Sequence, residues 1–331
     1  MTRRRFLKIV GLAGLTGWVG TSFGVFSRVL RWFDRSRSRV SLVACDGYSR
    51  DLRRRLELCW DLAPGPSVRG LAVVLKPNVV DFTRGLPINT DPRFLGALVD
   101  LIRERGAKSI VIAEGPGNRR DIETVLGESG LSDVLSARRV RFVDLNTDDV
   151  GPASVVTIPP ALSSRLSGLV LPRTIVSADL VISVAKMKTH HWTGVTLSMK
   201  NLFGVVPGSI YGWPKNILHW NGIDRSVIEL FQTVRPAFGL VDGIVGMEGD
   251  GPLLGTSRET GLILASQDLV ALDAVAARGM GVEPCRIGYL AAAEELSLGR
   301  MRESRIDVCG GSLARLAQRF TLPAGFEHLR L

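Results

Sequence analysis

Residues Leu180–Asp224 read LVISVAKMKTHHWTGVTLSMKNLFGVVPGSIYGWPKNILHWNGID. No acidic residue lies between Asp179 and Asp224, whereas four of the chain's seven lysines and three of its four histidines lie there. The chain otherwise carries its positive charge mainly as arginine, of which it has 35. Lysine shifts its pKa readily on burial, and arginine cannot replace it in that role. We therefore interpret the stretch as a functional cation cluster, because a solvated basic loop, the alternative, would have no reason to exclude arginine.

The apolar run Leu180–Ala185 predicts a buried strand, and the cations begin where that strand is expected to end. Similar runs at Leu71–Leu75, Ser109–Ala113 and Gly261–Ala265 alternate with helical patterns over short connections. This alternation predicts an α/β fold with a mainly parallel sheet and helices on both faces. A division into two closely packed lobes is left open. Because open α/β sheets bind ligands at the carboxyl ends of their strands, we expect the cation cluster at that edge.

Three segments are expected: a targeting segment with a basic linker at 1–39, an α/β domain at 40–300, and a C-terminal tail at 301–331. A proline-containing stretch near 150–178 is the candidate lobe boundary. Residues 1–39 carry nine Lys/Arg and one acid, so +8 of the net charge of +10 belongs to them. The high isoelectric point therefore belongs mainly to the N-terminus. It is poor evidence for nucleic-acid binding, which needs a basic face on the folded domain, and nucleic acid is not an expected partner. The four cysteines form no CxxC motif, so no intrinsic iron–sulfur cluster is expected.

The N-terminal residues Thr2–Lys8 read TRRRFLK and precede an uncharged run, Ile9–Phe26. They resemble the twin-arginine export signal, Ser/Thr-Arg-Arg-x-Phe-Leu-Lys. The matching signal residues are Arg3, Arg4, Phe6, Leu7 and Lys8. The resemblance implies export by the twin-arginine translocase to a periplasmic or other extracytoplasmic location. No clear A-x-A cleavage site follows, and a run of 18 residues is just long enough to span a bilayer, so cleavage and membrane anchoring both stay open.

Ammonium groups stand beside side-chain amides at two places, Lys200-Asn201 and Lys76-Pro77-Asn78. If the predicted strand continues, Lys186 and Lys188 point to one face and Met187 to the other. Ammonium and amide donors suit a carboxylate or a phosphate. The predicted catalytic residues are Lys186, Lys188, His190 and Lys200. The predicted substrate-binding residues are Lys76, Asn78, Thr189, Asn201, Lys215 and His219.

Histidines and acids complete the candidate site. His190 is a candidate general base or metal ligand, whereas His219 is as well explained as a satisfied, partly buried histidine. After the strand Phe238–Val241 comes a glycine-rich acidic loop with Asp242, Glu248 and Asp250. These carboxylates are candidates for lysine counter-charges, proton acceptors or Mg²⁺ ligands, and a hairpin with solvated acids is the alternative. Glu114, at the end of another predicted strand, could reach the same crevice.

Several motifs, in order along residues 40–300, resemble the domain of unknown function 362 family. They are Lys76-Pro77-Asn78, Lys186-x-Lys188-Thr189-His190, Thr196-Leu197-x-x-Lys200-Asn201-x-x-Gly204, Lys215-x-x-x-His219, Asp242-Gly243 and Glu248-Gly249-x-Gly251-Pro252. Many members also carry a ferredoxin-like segment with two cysteine runs, which this sequence lacks. Members often occur in redox settings, so the resemblance implies a redox partner. The family is also similar in style to the nickel-pincer lactate racemase group, which uses Lys and His around a carboxylate, as an analogy only.

Two hypotheses follow from the sequence. The leading one is an exported α/β enzyme that binds a small anionic substrate, a carboxylate or a phosphate, through its Lys/His cluster. The alternative is a non-catalytic accessory or binding protein at a membrane surface, partnering a redox complex. The cofactor is left open, with a divalent metal as one option.

Overall fold

A nine-stranded mixed sheet forms the centre of the protein. The computed structural model describes residues 36–117, 121–151, 155–156 and 168–331. Within these residues the sheet consists of β1 (Ser38–Ala44), β2 (Ala72–Pro77), β3 (Ser109–Glu114), β4 (Arg141–Asp144), β7 (Leu180–His190), β8 (Gly194–Thr196), β9 (Phe238–Glu248), β10 (Thr256–Ser266) and β11 (Ile306–Gly310). A separate antiparallel pair is formed by β5 (Val155–Val156) and β6 (Leu169–Val170).

The strand order is β11-β1-β10-β9-β7-β2-β3-β4, with β8 paired to the far end of β7. Neighbours are parallel from β9 through β7, β2 and β3 to β4, and β11 is parallel to β1. The antiparallel pairs are β1 with β10, β10 with β9, and β7 with β8. The prediction of an α/β fold with a mainly parallel sheet is therefore confirmed.

Helices cover both faces of this sheet. They are α1 (Leu52–Leu62), α2 (Pro92–Glu104), α3 (Ile122–Glu128), α4 (Leu131–Arg138), α5 (Arg173–Val176), α6 (Gly208–Tyr211), α7 (Asn216–Trp220), α8 (Ile223–Val234), α9 (Leu269–Gly279), α10 (Gly288–Glu295) and α11 (Leu313–Leu316). Alternate residues of β10 divide between two cores: Ile263 packs with α1 and α2, whereas Leu262 and Leu264 pack with α9 and α10. This alternation follows from the two-residue period of a strand.

Strand β7 is longer than its apolar run predicts. It continues through the polar residues to His190, because β9 and β8 supply backbone partners on both sides: Lys186 pairs with Asp242, and Lys188 pairs with Thr196. Met187 is buried in the α9-side core, as the alternation predicts. The prediction of an acidic loop after Val241 was wrong, because strand β9 continues to Glu248 and pairs with β10.

A short 3-10 helix, Lys200–Val205, follows β8 and carries part of the cation cluster. The buried Asp273 of α9 holds its start, since its carboxylate accepts hydrogen bonds from Ser198 N at 2.8 Å, from Met199 N at 2.9 Å and from the Ser198 hydroxyl. Burial raises the pKa of Asp273 to about 7. The backbone that leads into Lys200 is thus fixed to the helix behind it.

The chain divides into residues 1–37, of which only 36 and 37 are described, and a compact unit, Ser38–Leu331. Within the described part of that unit, no division near residues 150–178 separates two lobes. The expected tail at 301–331 contributes β11 to the sheet, because its backbone pairs with β1. The predicted signal residues Arg3, Arg4, Phe6, Leu7 and Lys8 lie outside the described residues. Of the helices that are described, none has the length and apolarity needed to cross a bilayer.

Candidate functional site

A cavity of about 290 Å³ lies where β2, β3 and β7 end. Four lysines and one carboxylate line it: Lys76, Lys188, Lys200, Lys215 and Glu114. Lys76 and Glu114 belong to β2 and β3, Lys188 to β7, and the other two lysines to the segment that follows β8. The carboxyl ends of parallel strands therefore meet the Lys-rich segment at one place, as the sequence predicts.

Lys76 is closed into a hydrogen-bonded ion pair. Its ammonium donates to Glu114 Oε2 at 2.6 Å, to Asn201 Oδ1 at 3.0 Å and to Pro77 O at 2.9 Å. Glu114 also accepts from Val79 N at 3.1 Å and from Gly115 N at 2.9 Å. Both side chains are at least 98% buried. Burial lowers the pKa of Lys76, and the Glu114 carboxylate opposes that shift.

Among the described residues, Lys188 and Lys215 each donate to one backbone carbonyl and pair with no carboxylate. Lys188 Nζ lies 2.7 Å from Ile88 O, and Lys215 Nζ lies 2.6 Å from Gly115 O. Burial lowers the pKa of each to about 7. The neighbouring Lys186 and Lys200 lower the pKa of Lys188 further, whereas Glu114 partly opposes the shift at Lys215.

Lys200 is held differently. Its ammonium lies 3.7 Å from the centroid of the Phe203 ring, and it makes no hydrogen bond within the described part of the chain. Burial lowers the pKa of Lys200 to about 7, and Lys76 and Lys215 lower it further. The described lining thus carries four amines against one carboxylate, which is already engaged by Lys76. A buried, uncompensated positive charge favours either loss of protons or binding of an anion.

Lys186 lies apart from this cavity, contrary to its predicted place in the same site. Its ammonium donates to Asp242 Oδ2 at 2.9 Å and to Tyr48 Oη at 2.8 Å, and Tyr48 donates to Asp242 Oδ1 at 2.8 Å. Asp242 also accepts from Asp91 N at 3.0 Å. Asp242 is therefore a counter-charge for Lys186, which was one of the predicted roles. Both groups already have hydrogen-bonding partners within this network. Lys186 acts on the cavity only through its charge beside Lys188.

The other predicted acids do not join Asp242. Glu248 accepts from Thr321 N at 2.9 Å and pairs with Arg258 at 3.7 Å, while Asp250 is exposed. Because β9 stays extended to Glu248, its carboxylates are spread along the strand instead of converging in a loop. The prediction of one counter-charge or Mg²⁺ cluster here was wrong. Across the described residues, no three His, Cys, Asp or Glu side chains are grouped so that they could hold a metal ion.

His190 lines the cavity with a fixed tautomer. Its Nδ1 accepts a hydrogen bond from Trp192 N at 3.0 Å, so the neutral ring carries its proton on Nε2. Burial, and then Lys200, strongly lower the pKa of this histidine. His190 therefore offers a neutral N–H donor to the cavity, instead of the general base that the sequence suggested.

Two further histidines line the cavity near the exposed Trp192. His191 donates through Nδ1 to Gly251 O at 2.9 Å. The His219 ring packs edge-on against Trp192, with centroids 4.4 Å apart. Burial lowers the pKa of His219 to about 4. His219 is therefore neutral near pH 7.

The amides form part of the cavity wall. Asn201 Nδ2 donates to Lys76 O and Ser183 Oγ, both at 3.0 Å, so its Oδ1 is the acceptor that Lys76 and Asn78 share. Within the part of the chain that the structure describes, neither the buried Asn78 Oδ1 nor the buried Thr196 Oγ1 has a hydrogen-bonding partner. Both residues line the cavity. An unpaired buried oxygen is costly and suits a hydrogen-bonding ligand.

Thr189, a predicted substrate-binding residue, is not part of the lining. Its hydroxyl donates to Gly249 O at 2.8 Å and so fastens the end of β7 to the turn after β9.

Two glycines are essential to the cavity wall. A Cβ on Gly204 would lie 1.7 Å from Glu114 Oε1 and 2.5 Å from Lys76 Nζ, and one on Gly115 would lie 2.7 Å from Gly204 O.

The fold and site define a mixed α/β protein with a lysine-lined cavity at the strand ends. A domain of unknown function (DUF362) matches residues 73–278, and the chain belongs to that family. The chain is 30% identical over 240 residues to "Thylakoid-associated protein sll1697" of Synechocystis sp., covering 69% of each chain.

Two solved structures have weaker overall likeness. One is the lactate racemase apoprotein from Thermoanaerobacterium thermosaccharolyticum, with a TM-score of 0.40, 17% identity, and 68% of this chain and 54% of that chain covered. The other is a protein from Thermotoga maritima, with a TM-score of 0.34, 17% identity, and 60% and 50% covered. This chain spans about half the length of both structures.

We predict that Gly204→Ala lowers the free energy of unfolding by about 3 kcal/mol or more, because the added methyl group forces apart a buried ion pair. Urea unfolding followed by circular dichroism measures the change. Gly127→Ala is the matched control, since its Cβ meets no atom within 4 Å in helix α3. It should change stability by no more than about 1 kcal/mol, in the stabilising direction. Equal effects of the two substitutions would contradict the packing described for Gly204.

Proposed function

We propose that this protein is an enzyme acting on a small organic anion, a carboxylate or a phosphate, bound between Lys188, Lys200 and Lys215. One observation carries the proposal. Three buried amines line one cavity, and the described lining has no carboxylate left to pair with them. A cavity of about 290 Å³ is near the lower end of the range for small-molecule sites, which favours a small ligand.

Electrostatic attraction to the buried ammonium groups favours binding of an anion over a neutral ligand. Charged ammonium groups in a buried site lose hydration, and their mutual repulsion adds to that cost. An anion restores the favourable interaction and raises the pKa of each lysine towards its ordinary value. Neutral donors such as His190 Nε2–H and acceptors such as Asn78 Oδ1 would orient the uncharged part of the ligand.

The lysines also suit proton transfer. A general acid or base works best when its pKa is near the operating pH. Lys188, Lys200 and Lys215 each have a pKa of about 7, and burial is the main cause. This supports an enzyme over a passive anion carrier, because amines that exchange protons near neutral pH can act as acid and base as well as hold the anion.

A second candidate is an accessory protein at a membrane surface, serving a redox complex. Two observations favour it: the N-terminal residues resemble a twin-arginine signal, and the Synechocystis relative is named as a thylakoid-associated protein. Export to an extracytoplasmic location is compatible with both candidates. The first candidate needs the lysine cavity, whereas the second needs only the membrane location and a partner surface.

Lys188→Met and Lys200→Met should each weaken anion binding about tenfold or more, since each removes a charge-assisted hydrogen-bond donor. The same substitutions should raise the stability of the ligand-free protein, because they replace a buried uncompensated amine with an apolar chain. Thermal shifts across a library of organic and phosphorylated acids measure both effects.

Lys108→Met is the control for the lysine variants, because Lys108 is exposed and lies outside the cavity. It should leave both the ligand response and the unfolding temperature close to those of the wild type. Cavity variants that keep the wild-type response to every active acid would contradict anion binding at these lysines.

Stability of the ligand-free protein should rise from about pH 7 to pH 10. The three lysines have a pKa of about 7 when folded and the ordinary value of 10.5 when unfolded, so the unfolded state binds more protons over this window. Each lysine adds up to about 1.4 kcal/mol per pH unit. Urea unfolding across the pH range measures the slope, which Lys188→Met should reduce. A flat profile that no lysine variant alters would exclude this account.

Cell fractionation tests the export on which the second candidate depends. Replacing Arg3 and Arg4 with lysine should keep the full-length protein in the cytoplasmic fraction, because the twin-arginine pattern is lost. Fractionation and immunoblotting of producing cells measure this result, and Arg37→Lys, outside the pattern, serves as the control. If the variant and the wild type fractionate identically, the export proposal fails. Recovery of a membrane partner by a Lys188→Met, Lys200→Met double variant would favour the accessory role.

A further inference from the structure

We propose that Lys200 is a nucleophile whose Nζ forms an imine with the carbonyl group of a small oxo acid held by Lys188 and Lys215. The inference rests on the proposed function and names its substrate class: a carboxylic acid with a ketone or aldehyde group near the carboxylate. The observation that leads to it is a difference among the four lysines of the cavity.

Three of these lysines are anchored, and one is not. Lys76 is fixed by Glu114, Lys188 by Ile88 O at 2.7 Å, and Lys215 by Gly115 O at 2.6 Å. Within the described residues, Lys200 Nζ has only the face of the Phe203 ring, 3.7 Å from the ammonium to the centroid. A ring face accepts no conventional hydrogen bond, so the nitrogen is free to turn its lone pair towards a ligand.

The surroundings keep that lone pair available. A lysine becomes a nucleophile when burial and neighbouring cations favour its neutral form. Lys200 is buried, and the nearby Lys76 and Lys215 further lower its pKa. Its backbone is fixed through Asp273, which accepts hydrogen bonds from Ser198 N and Met199 N. The Lys200 amine, which has no hydrogen bond among the described residues, therefore lines the cavity from a backbone that is held in place.

The anchored lysines have the complementary property. A lysine that donates one hydrogen bond to a carbonyl keeps two further donors. Lys188 and Lys215 can thus hold a carboxylate without moving. The polar lining also suits the neutral carbonyl group: His190 Nε2–H is a donor for its oxygen, and Asn78 Oδ1 and Thr196 Oγ1 are buried oxygens without a partner. The hydroxyl that the addition step creates has one proton to donate, and either of these oxygens can accept it.

The chemistry balances without an added oxidant or reductant. The Lys200 lone pair attacks the carbonyl carbon, the C–N bond forms, and the carbonyl π electrons move to oxygen. Proton transfer from nitrogen to oxygen gives a carbinolamine. A neighbouring ammonium, Lys188 or Lys215, then protonates the hydroxyl, which leaves as water. The nitrogen lone pair forms the C=N bond of a protonated imine, which withdraws electrons from the adjacent carbon.

Borohydride trapping tests the inference. The full-length protein is incubated at pH 7 with glyoxylate, pyruvate, acetoacetate or 2-oxoglutarate, with and without sodium borohydride, and then analysed by intact mass and peptide mapping. Reduction of an imine adds the mass of the oxo acid less one oxygen atom. We expect one equivalent of the adduct, on the peptide that contains Lys200, with at least one of the four acids.

Lys200→Arg removes the nucleophile and keeps a cation, so it should abolish the adduct while the thermal shift with the same acid persists. If arginine does not fit, Lys200→Met is the second variant, assayed at oxo acid concentrations that give the wild-type thermal shift, so that a lost adduct reports the missing nucleophile and not weaker binding. Lys108→Arg, at an exposed lysine, should leave the adduct unchanged. A stabilising oxo acid that gives no adduct, or an adduct spread over surface lysines, overturns imine formation but leaves the proposed function standing. If no organic anion shifts the unfolding temperature, the proposed function itself fails.

Discussion

The buried ion pair between Lys76 and Glu114 joins the ends of β2 and β3 and forms one wall of the cavity. It is also the centre of a hydrogen-bond network that reaches Asn201 and the backbone of Val79. Gly204 lies so close to the pair that no side chain fits there. Glu114 is the only carboxylate of the described lining, and it is paired with Lys76. The unpaired amines elsewhere in the cavity follow from that arrangement.

Burial of charge then explains the use of lysine. Arginine stays protonated at any pH that a protein meets, so several buried arginines without carboxylates would leave a permanent, uncompensated charge. Lysine can release its proton when the cavity is empty and regain it when an anion enters. The lowered pKa of Lys188, Lys200 and Lys215 expresses this property. The same feature that makes the empty site tolerable makes it responsive to an anionic ligand.

The cavity also separates roles among groups of the same type. Lys186 is saturated by Asp242 and Tyr48, whereas Lys188, two residues along the same strand, meets only a backbone carbonyl. His190 accepts through Nδ1 from Trp192 N, whereas His191 donates through Nδ1 to Gly251 O. Identical side chains thus differ in chemistry because each hydrogen-bonding partner comes from a different part of the chain.

The sequence by itself determined the α/β class and the Lys-rich segment, because apolar periodicity and the exclusion of arginine are local patterns. Tertiary structure decided which cations share a cavity. The extension of β7 to His190 depends on its pairing with β8 and β9. The acidic segment after Val241 is extended because β9 pairs with β10, which its glycines and carboxylates alone do not predict. Counter-charges, tautomers and burial arise between residues far apart in sequence, and only the packed chain brings those residues within hydrogen-bonding distance.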